Sequence, residues 1–367
     1  MTFFAIILSV WTLEHVYVVA RLWNLPPAAG PLWHRALLIG GALLWVSFPL
    51  GQILARSTSR TVAAPVELVG ATWVGMLFFL FAWLLGADIV TGFGWLIPGL
   101  SRPLRLAAVA IAIGLSLFAV TQGLRAPTVQ EHRVAIQGLP PALAGLRIVQ
   151  LSDLHLGPVL RKRWIEERIT QVEQLRPDLI VVTGDLVDQD SSLSELLVPS
   201  LRTLHAPLGV WGVTGNHEFY AGLDGSLRVF ADAGIRLLRD TSVEVAPGLV
   251  LAGVDDLTAR RQFGQSDHPV DRTLAHRPPG STVFLCHSPW QVERAAQLGV
   301  GLMLSGHTHD GQIWPFTYLV RMVYPYVAGR YAIDGMSLIV SRGTGFWGPP
   351  MRLFRRGEIV AITVSPT

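Results

Sequence analysis

Lysine and cysteine are almost absent from this 367-residue chain: lysine occurs once, at Lys162, and cysteine once, at Cys286. A single cysteine excludes a disulfide within the chain and leaves the redox compartment open. The formal net charge is only +3, and it is spread over the whole length. With no basic patch, the sequence favours no nucleic-acid partner.

Charged residues are also scarce, at 15%, whereas half of the residues are hydrophobic. The mean hydropathy of +0.43 is too apolar for an ordinary soluble enzyme. A helix crosses a bilayer with about 20 mostly apolar residues, and four segments at the front of the chain are long enough: 2–23, 36–55, 66–90 and 104–124. Core helices of a soluble domain are the alternative, but such helices seldom run so long with so few charges.

These segments predict a transmembrane region of about four spans over residues 1–125 and a second domain over residues 126–367. Arginines near the segment ends are equally numerous on both sides of the predicted membrane. The positive-inside rule therefore predicts no orientation for the second domain.

Polar side chains follow five apolar runs in the second half of the chain. The runs are 146–151, 179–183, 210–214, 282–285 and 302–304, which are typical of buried parallel strands. Loops that leave the carboxyl ends of such strands converge on one crevice. The side chains that should meet there include two aspartates, one asparagine and several histidines, which together predict a site for two metal ions.

Five motifs follow these runs: Asp153-Leu154-His155, Gly184-Asp185, Gly215-Asn216-His217-Glu218, Cys286-His287-Ser288 and Gly306-His307-Thr308-His309. Their order and sequences resemble the calcineurin-like metallophosphoesterase superfamily, and more closely its membrane-associated bacterial branch of phosphodiesterases and UDP-diacylglucosamine hydrolases. The resemblance covers about two thirds of the chain, from near Arg133 onward. It implies a four-layer α/β/β/α sandwich and hydrolysis of a phosphoester by a hydroxide that two metals activate.

The resemblance also implies a role for each residue of the site. Asp185 would bridge the two metals. Asp153, His155 and His309 would complete the ligands of one metal, and Asn216, His287 and His307 those of the other. His217 would face the phosphate and act on the leaving oxygen. Relatives that lost such residues serve as scaffolds, so a non-catalytic membrane-bound interaction module is the alternative from another functional class.

The sequence says less about the identity of the metals and of the substrate than about the residues of the site. Imidazole, carboxylate and amide ligands together suit manganese, zinc or iron better than magnesium or calcium, and manganese is our expectation. Aromatic and arginine side chains between Trp314 and Arg352 favour a lipid-linked phosphate ester or pyrophosphate, although they could equally pack the second sheet. A phosphodiesterase for soluble nucleotides is the alternative enzyme.

The catalytic half predicts alternating strands and helices, with helices over 161–175, 191–204 and 225–233. Later strands at 235–238, 250–254, 337–340 and 359–363 predict a second sheet of their own. A linker is predicted around residues 126–131.

Overall fold

The computed structural model describes residues 2–26, 29–57, 60–157, 160, 162–188, 196–265 and 267–367. The chain forms two compact units: Met1–Leu124 with Gly348–Phe354, and Arg125–Trp347 with Arg355–Thr367. The predicted division into domains 1–125 and 126–367 stays a prediction.

The first unit consists of helices. They are α1 (Thr2–Leu22), α2 (Pro31–Ser57), α3 (Arg60–Val90) and α4 (Pro98–Gly123). In the part of the chain that the structure describes, three stretches are long and apolar enough to cross a membrane: Pro31–Leu54, Ala63–Val90 and Pro98–Gly123. The predicted count of about four spans is therefore one too high. The side chains described in α1 begin at Leu8, and Glu14, His15 and Arg21 interrupt the apolar run that remains.

A buried carboxylate ties three of these helices together. Asp88 of α3 is fully buried, and its Oδ2 lies 2.5 Å from Nε of Arg21 in α1 and accepts a hydrogen bond from the Tyr17 hydroxyl at 2.7 Å. Its Oδ1 lies 2.7 Å from Nη2 of Arg105 in α4. Ionisable groups inside a membrane are often functional, but here every side-chain oxygen of Asp88 has a partner from a neighbouring helix. The cluster is thus a cross-link within the helical unit.

The second unit contains two six-stranded sheets. The first sheet has the order β1-β12-β2-β3-β4-β5 and the second β10-β11-β9-β8-β7-β6. The strands are β1 (Thr128–Ile136), β2 (Arg147–Leu151), β3 (Leu179–Thr183), β4 (Val210–Val213), β5 (Arg236–Leu237), β6 (Thr241–Ala246), β7 (Leu249–Gly253), β8 (Ser281–Leu285), β9 (Leu302–Ser305), β10 (Gly329–Ile333), β11 (Met336–Val340) and β12 (Glu358–Pro366).

The described residues of the second unit also form helices. They are α5 (Lys162–Gln174), α6 (Val198–Leu201), α7 (Asn216–Tyr220), α8 (Leu223–Asp232), α9 (Leu257–Gln262), α10 (Pro269–Ala275), α11 (Val292–Gln297) and α12 (Phe316–Val323). One apolar cluster packs side chains of the two sheets against each other, for example Ile148 and Val181 against Leu251 and Leu304. Two further clusters pack helices against the outside of each sheet. The α/β/β/α sandwich is confirmed.

The sequence prediction assigned several strands to the wrong sheet. The runs 235–238 and 359–363 were expected in the second sheet, but β5 and β12 belong to the first. The stretch predicted as a linker, 126–131, runs into β1, which pairs in parallel with β12. Strand pairing depends on partners far away in the chain, so an apolar run does not reveal which sheet it joins.

The predicted helices agree in part. The helix over 225–233 corresponds to α8, and that over 161–175 to α5, although residue 161 lies outside the described residues. The helix over 191–204 is described only from residue 196, and α6 there has four residues.

Candidate metal centre

The five polar segments all lie at the carboxyl ends of strands, but they come from two sheets. Those after β2, β3 and β4 belong to the first sheet, and those after β8 and β9 to the second. The sheets pack face to face, so their loops open onto the same end of the sandwich. All seven predicted ligands and His217 meet there.

One group joins Asp153 and His155 of the first sheet to His309 of the second. Nε2 of His309 lies 3.2 Å from Oδ1 of Asp153 and 3.1 Å from Nε2 of His155. All three side chains are buried. Two imidazole nitrogens and a carboxylate oxygen that face one another so closely are donors suited to one shared cation.

A second group joins Asn216 of the first sheet to His287 and His307 of the second. Oδ1 of Asn216 lies 3.2 Å from Nε2 of His287 and 2.8 Å from Nδ1 of His307. The other nitrogen of each ring is held from outside the group: Nδ1 of His287 donates to the Thr183 carbonyl at 2.7 Å, and Nε2 of His307 lies 2.7 Å from the Tyr324 hydroxyl. Such outer contacts fix which nitrogen faces a metal.

Asp185 lies between the two groups. Its Oδ2 is 3.6 Å from Nε2 of His155 in the first group and 3.1 Å from Nε2 of His287 in the second. Its Oδ1 accepts a hydrogen bond from the backbone nitrogen of His217 at 2.9 Å. A carboxylate in this position could serve both groups, and the mixed oxygen and nitrogen donors fit divalent transition metals.

The backbone is strained at most of these positions. Five of the seven predicted ligands have a positive φ: Asp153, His155, Asp185, His307 and His309. Each such conformation costs about 1–3 kcal/mol, persists only where the surrounding structure enforces it, and is common at active sites. Glycines permit the close packing beside them, since a Cβ at Gly215 would lie 2.1 Å from Oδ1 of Asp185, and one at Gly306 2.3 Å from Oδ2 of Asp153.

His217 faces the same centre from α7. Its Nδ1 donates to the backbone carbonyl of Asp188 at 2.9 Å and lies 3.2 Å from the Asp188 Oδ1. The Nε2 atom is thereby left to face the centre, where His217 forms a third close group with His155 and Asp185. Burial lowers the pKa of His217, but the charges of Asp185 and Asp188 outweigh it and raise the pKa to about 9.

Neighbouring acidic and imidazole groups of the site shift one another's pKa values. Burial would raise the pKa of Asp153 and Asp185, but His309 lowers it at the first and His287 at the second. Burial would lower the pKa of His287, yet Asp185 raises it well above its ordinary value. Burial and the neighbouring His287 lower the pKa of His307 to about 3. His287 and His307 thus differ in proton affinity, and His307 offers a free nitrogen more readily than His287.

Three residues of the site were not predicted. Asp188 holds His217, and its Oδ1 also lies 3.3 Å from Nδ1 of His155. Glu218 is fully buried and accepts hydrogen bonds from the backbone nitrogens of Asp185, Val187 and Gly215, which locks two ligand loops together. Tyr324 contacts His307. Asp188 follows Asp185 by three residues and Glu218 ends a quoted motif, so both lie close to predicted residues. Tyr324 lies in the aromatic stretch between Trp314 and Arg352, which the sequence linked to the substrate and not to a ligand histidine.

Comparison with known proteins agrees with this geometry. Residues 146–311 match the family model of the calcineurin-like phosphoesterases. The chain is 34% identical over 259 residues to an uncharacterized metallophosphoesterase of Aquifex aeolicus, a match that covers 70% of this chain and 98% of that one. The chain belongs to the calcineurin-like phosphoesterase family. Phosphoesterases are hydrolases that act on ester bonds.

This calcineurin-like phosphoesterase is also similar to membrane proteins. It is 32% identical over 279 residues to the "transmembrane protein with metallophosphoesterase domain" of Danio rerio. The match covers 73% of this chain but only 64% of that relative, so the chain spans less than two thirds of its length. The name of that relative agrees with the three helices of this chain that are long and apolar enough to cross a membrane. Among solved structures, the calcineurin-like phosphoesterase YfkN from Bacillus subtilis aligns with a TM-score of 0.36 and 16% identity, over 55% of this chain and 82% of that one.

Proposed function

We propose that this protein is a membrane-anchored, metal-dependent phosphoesterase that hydrolyses a phosphoester or pyrophosphate bond. The observation that carries the proposal is the position of Asp185, whose Oδ2 lies within 3.6 Å of a histidine nitrogen from each of two donor groups. A cross-link between the sheets needs one carboxylate and one partner, whereas here six other predicted ligands converge around the carboxylate of Asp185.

The donors divide into two sets that share Asp185. Asp153, His155 and His309 would hold one ion with it, and Asn216, His287 and His307 the other. Two bound divalent ions would supply a hydroxide at neutral pH and compensate charge on the phosphate oxygens. Manganese is our expectation, with zinc and iron as the alternatives.

His217 would act on the leaving group. Its Nδ1 donates a hydrogen bond to the Asp188 carbonyl. The proton on Nε2 is therefore the one that can be transferred to the substrate. The neighbouring carboxylates keep the ring protonated. We propose that His217 donates this proton to the leaving oxygen as the bond to phosphorus breaks, and regains a proton from solvent.

The remaining parts of the proposal concern location and substrate. We place the protein in the cell (inner) membrane as a multi-pass protein, with residues 1–125 as anchor and 126–367 as the catalytic domain. A lipid-linked phosphate ester or pyrophosphate is our proposed substrate. Exposed aromatic rings beside His217, such as Trp347 at a ring distance of 6.2 Å, favour it over a soluble nucleotide.

Replacement of the shared carboxylate tests the proposal. Asp185→Asn keeps the shape of the side chain but removes the charge that holds two dications close together. We expect loss of at least one metal and of nearly all hydrolysis of a chromogenic phosphodiester, measured on the full-length protein with elemental analysis. Asp232→Asn, at an exposed aspartate in α8, is the matched control and should keep both. Two bound metals and normal turnover in Asp185→Asn would refute the assignment.

A further inference from the structure

Helix α12 exposes the side that a surface helix normally buries. Surface helices of soluble domains turn an apolar stripe toward the core. In α12, all of which is described, no residue is buried. Thr317 faces inward, where its hydroxyl donates to the Asp310 carbonyl, whereas Leu319 is 52% and Met322 81% exposed. The apolar side of α12 therefore points away from the second unit.

Exposed apolar side chains of the second unit are concentrated at this helix. Among its described residues, large hydrophobic side chains are exposed at Leu196, Tyr220, Phe263 and Trp347 and at six positions in and just before α12: Trp314, Phe316, Tyr318, Leu319, Met322 and Val323. We call these six the α12 face. Contiguous exposed patches of this kind mark interaction sites rather than ordinary surface.

The α12 face borders the candidate metal centre. Six residues lie between His309 and the start of the helix, and Tyr324, directly after its end, contacts Nε2 of His307 at 2.7 Å. The ring of Tyr220, which is also exposed, lies 5.5 Å from that of His217. A partner bound to the α12 face would thus lie beside the entrance to the site.

We propose that the α12 face inserts into the interfacial layer of a lipid bilayer and holds the entrance of the site at the headgroup level. Three observations favour a bilayer as the occupant. The same chain contains helices fit to cross a membrane, so a bilayer is always within reach. Tryptophan and tyrosine prefer the membrane interface. The charged residue of α12 is Arg321, an exposed cation suited to anionic headgroups.

This inference deepens the proposed function, because it rests on a hydrolytic site that would act on a substrate presented at the bilayer surface. The insertion itself is independent of turnover. A second copy of the chain is the competing occupant, since two apolar faces could also pair with each other.

The test uses the full-length protein in nanodiscs that contain one copy each. Met322→Cys carries an environment-sensitive fluorophore, and the native Cys286 is fully buried and does not compete for the label. Gln174→Cys, at an exposed position at the end of α5, is the matched control. Interfacial helices lie about 5–10 Å into the headgroup and acyl boundary, so lipids with a shallow nitroxide are the quencher.

We expect the label at Met322 to be quenched several-fold more than the label at Gln174, and Leu319→Glu to reduce that difference. Equal quenching at both positions would overturn the proposal. Quenching that is absent from single-copy discs, with label–label transfer in crowded liposomes, would assign the face to a second copy instead. Hydrolysis by the unlabelled protein is measured separately, so failure of the proposed function and failure of the insertion are distinguishable.

Discussion

Asp188 is the side chain whose charge we expect to control proton donation by His217. Its Oδ1 lies 3.2 Å from Nδ1 of His217, and both residues are buried. Asp188→Asn keeps the backbone carbonyl that accepts the Nδ1 proton and most of the side-chain shape. The change therefore removes a charge while leaving the ring oriented.

The size of the effect follows from the distance. Two unit charges 3.2 Å apart attract by about 5 kcal/mol at an effective dielectric constant of about 20. This is an upper bound, because the asparagine dipole and nearby groups compensate part of it. One pKa unit corresponds to about 1.4 kcal/mol, so we expect the pKa of His217 to fall by roughly one to three units.

The direction of the change in kcat follows from the protonated form of His217 being the active one. A proton donor loses activity as pH rises through its pKa, so a lower pKa of His217 moves the alkaline limb of the kcat profile to lower pH. Bound dications lower this pKa in both proteins, so the difference between them is the diagnostic quantity. At neutral pH we expect kcat to fall about 10–100-fold, which is less than the roughly 10²–10⁴-fold that complete loss of a general acid costs.

A double-mutant cycle decides whether Asp188 acts through His217. In a His217→Ala background, Asp188→Asn should cost little further activity, because the group it tunes is gone. Metal content should stay near normal in both single variants. Independent, multiplicative losses would refute the coupling. Loss of metal in Asp188→Asn would show that its contact with His155 is the one that matters, and loss of metal in His217→Ala would make His217 a ligand.

Two further predictions concern stability and the ions. Glu218→Gln leaves at least one buried backbone donor without an acceptor, so we expect the free energy of unfolding to fall by about 1–3 kcal/mol. The loss should appear as a lower Tm than that of the control Glu173→Gln, at an exposed glutamate. An unchanged Tm would contradict the role of Glu218 in joining the loops. Removal of metal by a chelator should abolish hydrolysis, and manganese should restore it; turnover that persists in the metal-free protein would rule out the two-ion site.

The position of the site was predictable because its signal is local. Asp153, Asp185, Asn216, His287 and His307 each come two or three residues after the end of an apolar run. Such residues lie at the carboxyl end of the strand however the strands are arranged. The sequence did not predict which strands form which sheet. For example, β12 pairs with β1 on one side and with β2 on the other, and neither strand is next to β12 in the sequence.

The supporting residues were missed for a similar reason. Glu218 serves backbone nitrogens about 30 residues away, and a glutamate that accepts from the backbone resembles any other glutamate in sequence. In the helical unit, the pairing of Asp88 with Arg21 and Arg105 likewise joins residues from three helices. Composition shows that polar groups lie in apolar helices, but it does not show which of them meet.

The interior place of β12 in the first sheet has a consequence for biosynthesis. This strand follows the other described elements along the chain, yet it lies between β1 and β2, the strand that leads into Asp153 and His155. A ribosome would have to release β12 before that part of the sheet could close. The ligand residues of the two sheets would come together only afterwards, so a chain still on the ribosome would not have both donor groups complete. Ion capture would then report that both sheets have docked.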